Sequence, residues 1–300
     1  IGDFNWFAMS SGLKINPQII KSLFSSSCPI ITRFAPSPTG YLHMGHVVSA
    51  IYCWGIAKLV GGSVLLRIED NDQQRSSEYF SQEIIKDLLW LGFISEAELS
   101  SIVYQSKRDK IYNKYFSLLQ TKAKIYYCTC TRKNLLPGGV YPGICRNTYL
   151  EPSLREYCLR LVVDNRDYCF WDYKQAYVTQ NPSKQCGDYI IKDKKGNWSY
   201  QFASVVDDSL SGVNLIIRGE DLFESTGRQL FLHSLLFSNY YKSIYVHHSL
   251  IREKDSGLKL SKRFLSDSIC QYRNRGVDSK LILGKALYSL GLISNIRKVD

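Results

Sequence analysis

The 300-residue chain lacks any long hydrophobic run. Its longest apolar stretch, Val47 to Ala57, is far shorter than the ~20 residues that a membrane helix requires. No basic, apolar and small-residue signal pattern opens the chain, so we expect a cytoplasmic protein without a membrane partner. Nine cysteines, an odd number over so long a chain, argue against a secreted disulfide framework and indicate reduced thiols.

Acidic residues are in the minority. The chain carries 38 Lys and Arg against 27 Asp and Glu, a net charge of +11. Residues 251–300 hold eleven of the basic residues and five of the acidic ones, about half of the excess. A basic surface attracts polyanions, and nucleic acid is the obvious one, but solubility alone also explains a basic protein. Charge does not decide between these two interpretations.

Alternating strand and helix patterns predict an α/β fold with a doubly wound parallel sheet. Apolar runs predict strands, and apolar residues spaced by three or four predict helices. A strand, helix, strand, helix, helix order is typical of the first half of such a sheet. The predicted strands cover 29–32, 63–70, 214–219 and 244–246, and the predicted helices cover 47–60, 76–91, 107–121 and 225–237.

Composition divides the chain into segments. Residues 126–190 are rich in Cys, Tyr, Gly and short alternating runs, which indicates an inserted, mostly β module. The opening segment is Ser-rich near its end, and we expect it to be a poorly ordered or artefactual extension. The predicted boundaries are 1–28 for the extension, 29–125 and 191–265 for the halves of the α/β domain, 126–190 for the insertion, and 266–300 for a short basic helical segment.

The stretch from Arg33 to His46 reads RFAPSPTGYLHMGH and joins a predicted strand to a predicted helix. Such a corner offers a phosphate the unpaired N–H groups and the partial positive charge of a helix start. His43 and His46 lie there, and their ring N–H groups could stabilise charge that develops on an α-phosphate. Loop histidines more often serve only as hydrogen-bonding groups, but the surrounding turn favours the catalytic interpretation.

Lys259 and Lys262 belong to a second motif, KLSKR, which follows a flexible Asp-Ser-Gly segment. In isolation this motif indicates a solvated charge cluster. Paired with the upstream HMGH, the motif resembles the KMSKS loop of class I aminoacyl-tRNA synthetases, and this resemblance implies that its ammonium groups neutralise the β- and γ-phosphates of a nucleotide.

Cys128, Cys130 and Cys145 lie within eighteen residues, beside the Gly138-Gly139 turn. Zinc prefers four ligands that include soft thiolates, so this spacing indicates a metal site. The alternative is a group of buried free thiols. The fourth ligand stays open among Cys158, Cys169, Cys186, a water molecule and the Tyr141 oxygen.

Together these motifs resemble those of class I aminoacyl-tRNA synthetases. RFAPSPTGxLHxGH is similar to the signature of the glutamyl branch, and KLSKR resembles its KMSKS loop with two substitutions. YCTCTR followed by Tyr-x-x-x-Cys resembles the glutamyl-queuosine tRNA(Asp) synthetases, shortened relatives of glutamyl-tRNA synthetase with a zinc site of three Cys and one Tyr. His46 departs from this family, in which Ser is frequent at that position.

The resemblance implies a role for each motif residue. Two guanidinium forks suit the side-chain carboxylate of glutamate, and Glu69 suits its ammonium group. Glu69 by itself would indicate a strand-end salt bridge. The implied catalytic residues are His43, His46, Lys259 and Lys262; ATP would contact His43, Gly45, His46 and Lys262; glutamate would contact Arg33, Ala35, Ser37, Glu69, Tyr200 and Arg218; and one Zn²⁺ per chain would bind Cys128, Cys130, Tyr141 and Cys145.

The implied reaction is the tRNA-independent activation of L-glutamate by ATP, with Mg²⁺ expected, to glutamyl-adenylate and pyrophosphate. Glutamate then passes to queuosine at the wobble position of tRNA(Asp), whose anticodon arm would meet the basic surface. We expect a monomer. The 38 residues after Lys262 are too few for the anticodon-binding domain of a full-length glutamyl-tRNA synthetase. The alternatives are a truncated enzyme that charges tRNA(Glu), a non-catalytic RNA-binding module, and a nucleotidyltransferase with the same histidine corner.

Overall fold

A computed structural model describes residues 15–25, 27–148, 156–237, 243–250 and 267–299. The strands in these ranges are β1 (Ile31–Phe34), β2 (Ser63–Ile68), β3 (Val103–Tyr104), β4 (Ile125–Cys128), β5 (Cys158–Leu161), β6 (Tyr168–Asp172), β7 (Ala176–Gln180), β8 (Tyr189–Lys192), β9 (Leu215–Gly219) and β10 (Ile244–His248). The α-helices are α1 (Pro17–Ser22), α2 (Met44–Val60), α3 (Glu78–Trp90), α4 (Asp109–Lys122), α5 (Pro182–Gln185), α6 (Tyr200–Leu210), α7 (Thr226–Leu236), α8 (Ile269–Asn274) and α9 (Ser279–Ser289). None of the described helices has the length and apolarity to cross a membrane.

The chain forms two compact units. The first holds the described residues up to Tyr104, those of Leu215–Asp221 and those from Ile244 onward. The second holds the described residues of Gln105–Asn214 and Leu222–Ser243.

Parallel strands form the first unit. β1 pairs with β2, with Ile31 opposite Ser63, and β2 pairs with β3 on its other side. β9 pairs with β10. β1 also lies against β9, and the Arg33 Nη1 donates to the Ile217 carbonyl at 3.1 Å. Parallel strands bring their carboxyl ends to one edge, where open α/β sheets bind ligands. The predicted α/β fold with a parallel sheet is confirmed.

Helix α2 packs against β1, β2 and β9 and is buried over most of its surface. It begins one turn before the predicted start because His43 caps it. It ends where the sequence indicates, at Gly61, whose φ of +73° is the left-handed conformation that glycine adopts without strain. The Gly62 N–H then donates back to the Ala57 carbonyl at 2.8 Å.

The first described residues contradict the expectation of a poorly ordered extension. Asn16 accepts a hydrogen bond from the Gln18 N–H at 3.0 Å and so caps α1, which packs against α2. Ile15 and Ile20 are buried, with 2% and 0% of their surface exposed. The expectation is therefore wrong for residues 15–25. Ile15 and Ile20 are core residues, but the polar residues around them in the sequence make the segment resemble a disordered one. Residues 1–14 lie outside the described ranges.

Antiparallel strands and helices form the second unit. β4, β5 and β8 make one antiparallel sheet, and β6 and β7 make a hairpin. Helices α4, α6 and α7 pack on one another around Phe202 and Leu232. Asp207 on α6 is fully buried and accepts hydrogen bonds from Arg108 Nε at 2.7 Å and the Tyr112 hydroxyl at 2.8 Å. This buried carboxylate fixes α6 against α4.

Ala176, in the hairpin turn, has φ of +59°, a left-handed conformation that costs an L-residue about 1 kcal/mol. The Asp172 carboxylate holds this turn by accepting from the Lys174 N–H at 2.9 Å. We expect Ala176→Gly to raise the free energy of unfolding by about 0.5–1 kcal/mol, since relief of strain exceeds the added chain entropy. Urea unfolding measures the change. The control Ala97→Gly, at an exposed position, should instead lower stability, and an Ala176→Gly midpoint at or below that of the native chain would contradict the prediction.

Candidate active site and metal centre

Two histidines satisfy the backbone at the start of α2. His43 is extended, with φ of −128° and ψ of 174°, and its Nδ1 accepts from the Gly45 N–H at 3.1 Å. The His46 Nδ1 accepts in return from the His43 N–H, also at 3.1 Å. This is the reciprocal arrangement of a capping box, with imidazoles in place of Ser and Glu.

These bonds determine the tautomer of both rings. A ring nitrogen that accepts a hydrogen bond carries no proton, so each neutral imidazole has its proton on Nε2. The ring centroids lie 3.9 Å apart. A Cβ on Gly45 would lie 3.0 Å from the His43 Cε1, so glycine leaves room for the ring. A Ser or Asp cap would satisfy the helix equally well, but only histidine keeps an Nε2–H donor for a ligand.

The loop between β1 and α2 is tied to the end of β2. The Glu69 N–H donates to the Pro36 carbonyl at 3.0 Å, and the Ser77 N–H donates to the Pro38 carbonyl at 3.1 Å. These bonds bring the backbone beside Ala35 and Ser37 next to the carboxyl end of β2. Ala35 and Ser37, which the sequence predicts to contact glutamate, therefore lie on either side of a residue whose carbonyl is bonded to Glu69.

Three predicted charged residues are buried on the strands of the first unit. Arg33 on β1, Glu69 after β2 and Arg218 on β9 have 4%, 7% and 6% of their surface exposed. The salt bridge that the sequence offers as an alternative also exists, because Glu69 Oε1 lies 3.0 Å from Arg67 Nη2. Burial of such charges costs free energy unless partners or a ligand compensate them.

The sequence pattern gave no role to the two histidines that end β10. His247 lies opposite Arg218 in the parallel register, and its Nε2 accepts from the Arg218 Nε at 3.0 Å. His248 stacks on Tyr52 at 4.6 Å and bonds Ser49 through Nε2 at 3.1 Å. Burial lowers the pKa of His248, so it stays neutral. Only the pairing of β9 with β10 reveals that His247 orients a predicted site residue.

The remaining predicted residues of this site are Tyr200, Lys259 and Lys262. Tyr200 is the first residue of α6 in the second unit and is half-buried. Lys259 and Lys262 lie outside the described residues.

Cys128, Cys130 and Cys145 come together in the second unit. Their sulfur atoms all lie within 4.8 Å of one another, and the Cys130 and Cys145 sulfurs are 3.5 Å apart. Among the described residues, this is the one group of three or more His, Cys, Asp or Glu side chains with metal-ligand spacing. The cluster could hold a metal ion.

The Tyr141 hydroxyl lies among the three thiols. Its oxygen is 3.3 Å from the Cys128 sulfur and 3.6 Å from the Cys130 sulfur, and it accepts the Cys145 N–H at 3.0 Å. Three sulfurs and one oxygen make a donor set that suits a tetrahedral metal ion, and Cys128, Tyr141 and Cys145 are buried while Cys130 is half-buried.

The other candidates for the fourth ligand have different partners. The Cys158 thiol donates to the Cys128 carbonyl at 3.3 Å, and the Cys186 thiol to the Pro182 carbonyl at 3.2 Å. Cys169 is exposed and contacts Thr179 at 3.4 Å. Of the side chains left open by the sequence, Tyr141 is therefore the best placed.

Backbone contacts fix the position of Tyr141, and neighbouring side chains lower the pKa of Cys128. The Tyr141 N–H donates to the Cys186 carbonyl at 2.9 Å, and a Cβ on Gly187 would lie only 2.1 Å from the Tyr141 carbonyl oxygen. Burial opposes ionisation of Cys128, but its hydrogen bonds with the Tyr141 hydroxyl and with the donating Arg160 Nε outweigh burial and lower the pKa of Cys128 to about 7. This thiol is ready to act as a thiolate ligand near neutral pH.

A family model for the catalytic domain of class I tRNA synthetases, E and Q type, matches residues 29–137 and 149–297. The chain belongs to this family. A Pseudomonas fluorescens protein named glutamyl-Q tRNA(Asp) synthetase is 38% identical over 248 residues, which cover 82% of this chain and 80% of that protein. An Ectopseudomonas mendocina protein of the same name is 40% identical over 237 residues, 79% of this chain and 78% of its own length. The predicted resemblance to this family is confirmed.

A solved structure of glutamate-tRNA synthetase from Elizabethkingia anophelis has the same fold, with a TM-score of 0.72 at 23% identity. The matched region covers 86% of this chain and 61% of that chain, so this chain spans about three fifths of that synthetase. At this level of identity the likeness establishes the fold.

His43→Asn separates the two roles of the first histidine. Asn is among the best helix caps, so its side-chain oxygen can still accept the Gly45 N–H. The N–H groups of the shorter Asn amide do not reach the position of the imidazole Nε2–H, so we expect amino-acid-dependent ATP–pyrophosphate exchange to fall about 10²–10³-fold. His43→Ala should lose the same activity and also about 1 kcal/mol of stability. An Asn variant as active as the native chain would show that His43 only caps the helix.

Removal of one thiol tests the metal centre. We expect the purified protein to hold about one metal ion per chain and Cys145→Ser to lose it, because a hydroxyl is a much weaker ligand than a thiolate. Elemental analysis with thermal unfolding, with and without a chelator, measures both effects. Cys186→Ser is the matched control and should keep the metal. A native protein that is folded, free of metal and indifferent to zinc would contradict the prediction.

Proposed function

We propose that this chain activates L-glutamate with ATP, without tRNA, and transfers the glutamate to queuosine at the wobble position of tRNA(Asp). The histidine corner beside the buried Arg33, Glu69 and Arg218 is the observation that carries the proposal. The names of relatives that match about four fifths of the chain support the choice of acceptor.

Activation requires no nucleophile from the protein. A carboxylate oxygen of glutamate attacks the α-phosphorus of ATP, an O–P bond forms, and the bond to the bridging oxygen breaks as pyrophosphate leaves with the electron pair. The Nε2–H groups of His43 and His46 would donate to oxygens that gain charge in this step. Lys259 and Lys262 are assigned to the β- and γ-phosphates by sequence alone, and Mg²⁺ would supply further positive charge there.

Charge complementarity supports glutamate as the amino acid. A substrate with two carboxylates and one ammonium group needs cations and an anion, and Arg33, Arg218 and Glu69 provide both. The Arg33 Nη1 rests on the Ile217 carbonyl and the Arg218 Nε on His247, so each guanidinium is held in a fixed orientation. The proposal completes the pocket with Ala35, Ser37 and Tyr200.

Zinc is the metal that we propose for the cysteine cluster. Three thiolates and the Tyr141 oxygen suit a closed tetrahedral structural site, since no position is left for a reacting water. Such an ion would stabilise the proposed insertion, residues 126–190, between the proposed catalytic halves 29–125 and 191–265. We further propose a cytoplasmic monomer, since ATP and tRNA are its substrates and the basic surface suits an anticodon arm.

A paired acceptor assay tests this function. We expect labelled glutamate to appear on queuosine-containing tRNA(Asp) and to be absent from tRNA(Asp) that lacks queuosine. Pyrophosphate exchange with glutamate should proceed equally in the absence of any tRNA. tRNA(Glu) serves as the control acceptor.

Each outcome of this assay is decisive. Equal labelling of both tRNA(Asp) forms would overturn the proposed acceptor, and labelling of tRNA(Glu) would establish an ordinary glutamyl-tRNA synthetase. Absence of glutamate-dependent exchange would identify a protein that kept the fold without the activity.

A further inference from the structure

Arg160 is a buried cation on β5 whose partners are unusual. Only 6% of its surface is exposed, and among the described residues it forms no ion pair with a carboxylate. Its Nη1 donates to the Asp188 carbonyl at 2.7 Å, and its Nε donates to the Cys128 sulfur at 3.2 Å. A buried guanidinium is costly unless an anion compensates it, so the sulfur cluster is the candidate anion.

Strand pairing explains how Arg160 reaches the cluster. In the antiparallel register of β4 and β5, Tyr126 lies opposite Arg160 and Cys128 lies opposite Cys158. Side chains two residues apart on a strand share a face, so Arg160 is the diagonal neighbour of Cys128. The guanidinium carbon also lies 3.8 Å above the centroid of the Tyr141 ring. One side chain therefore contacts two of the four proposed ligands.

The far end of Arg160 is held by a rigid partner. Asp188 has 0% of its surface exposed, and its carboxylate accepts from the Tyr126 hydroxyl at 2.7 Å, Arg146 Nη2 at 2.7 Å and the Val163 N–H at 2.9 Å. Because Asp188 cannot move freely, the guanidinium plane is fixed against the thiol and the ring. Loss of a side chain that orients a metal ligand in this way typically lowers metal affinity about 10–100-fold.

The net charge of the proposed metal complex explains why a guanidinium group lies next to it. Three thiolates carry one negative charge more than a divalent metal ion neutralises, and a tyrosine phenolate would add another. Burial of an anionic complex costs desolvation free energy, as burial of a cation does. The attraction between the two compensates this cost only when they are adjacent and hydrogen-bonded. Arg160 meets both conditions at Cys128.

We propose that Arg160 is a positioning residue of the metal centre that neutralises the thiolate complex and holds Cys128 and Tyr141 in ligating geometry. This inference rests on the proposed metal site. Its predicted signature is a loss of metal affinity on removal of a side chain that does not itself touch the metal.

Zinc competition against a chromogenic chelator tests the proposal in the full chain. We expect Arg160→Met to weaken zinc binding about 10–100-fold. The matched control is Arg146→Met, which removes a positive charge and two hydrogen bonds to the same Asp188 but no bond to a sulfur, while the Tyr126 hydroxyl and the Val163 N–H still hold Asp188. The control should stay close to the native affinity.

A second variant and a spectrum guard against simple misfolding. Arg160→Lys keeps the charge, but an ammonium cannot donate to Cys128 and lie flat on Tyr141 together, so we expect affinity between the native and Met values. Cobalt in place of zinc should show a sulfur-to-metal charge-transfer band that shifts in both Arg160 variants and stays unchanged in Arg146→Met.

Three results would overturn the inference. These are native zinc affinity in both Arg160 variants, an equal loss in Arg146→Met, and unchanged cobalt spectra. If Arg160→Met does not fold, the lysine variant and its spectrum decide. A native chain that binds neither zinc nor cobalt would remove the proposed metal site, whereas a native chain that binds zinc together with Arg160 variants of native zinc affinity would remove only the role of Arg160.

Discussion

The candidate active site depends on how the first turn of α2 satisfies its backbone. Helix starts have N–H groups without partners, and here the Nδ1 atoms of His43 and His46 accept from Gly45 and His43. Since Nδ1 is occupied, the proton and the donor capacity of each ring are on Nε2. The same bonds require a small residue at position 45, because a side chain there would meet the His43 ring. Capping and the proposed catalytic role thus use opposite nitrogens of the same two residues.

In the candidate metal centre the backbone likewise positions a donor atom before a metal ion binds. Gly187, with φ of +64°, lets the chain approach the Tyr141 carbonyl, and the Tyr141 hydroxyl is positioned by the Cys145 N–H. Preorganisation of this kind lowers the entropy cost of binding. The three thiols and the phenol oxygen are already within contact distance, so a metal ion would need little rearrangement of the protein.

Local features of the fold and site could be predicted from the sequence, and long-range ones could not. The strand, turn and helix around His43 lie within about thirty residues, and local patterns such as the Gly61 stop carry enough information to locate them. The cysteine spacing likewise indicates a cluster, while the fourth donor stays open because its position depends on how the chain folds back. The family resemblance implies Tyr141, and the three-dimensional positions of the atoms distinguish it from Cys158 and Cys186.

Residues that act through strand pairing escaped prediction for the same reason. His247 meets Arg218 because β10 lies beside β9, and Arg160 meets Cys128 because β5 lies beside β4. In sequence, the members of these pairs are 29 and 32 residues apart, a separation that periodicity does not connect. Helix α1 escaped prediction for another reason. The composition of its segment indicates disorder, but burial of Ile20 in the core stabilises the helix.

The last described part of the chain returns to the histidine corner and fixes it from another side. The Ile269 N–H donates to the carbonyl of Leu42, the residue before His43, at 2.9 Å. Arg273 on the same helix pairs with Asp87 at 2.9 Å and also with Glu83, so α8 is locked to α3 by two carboxylates. Because a short helix has little stability of its own, these ion pairs and the Leu42 bond hold it in place. Helix α8, in the first described residues after the KLSKR motif, is therefore anchored beside the corner that the motif is proposed to serve, which a site built from both ends of the chain requires.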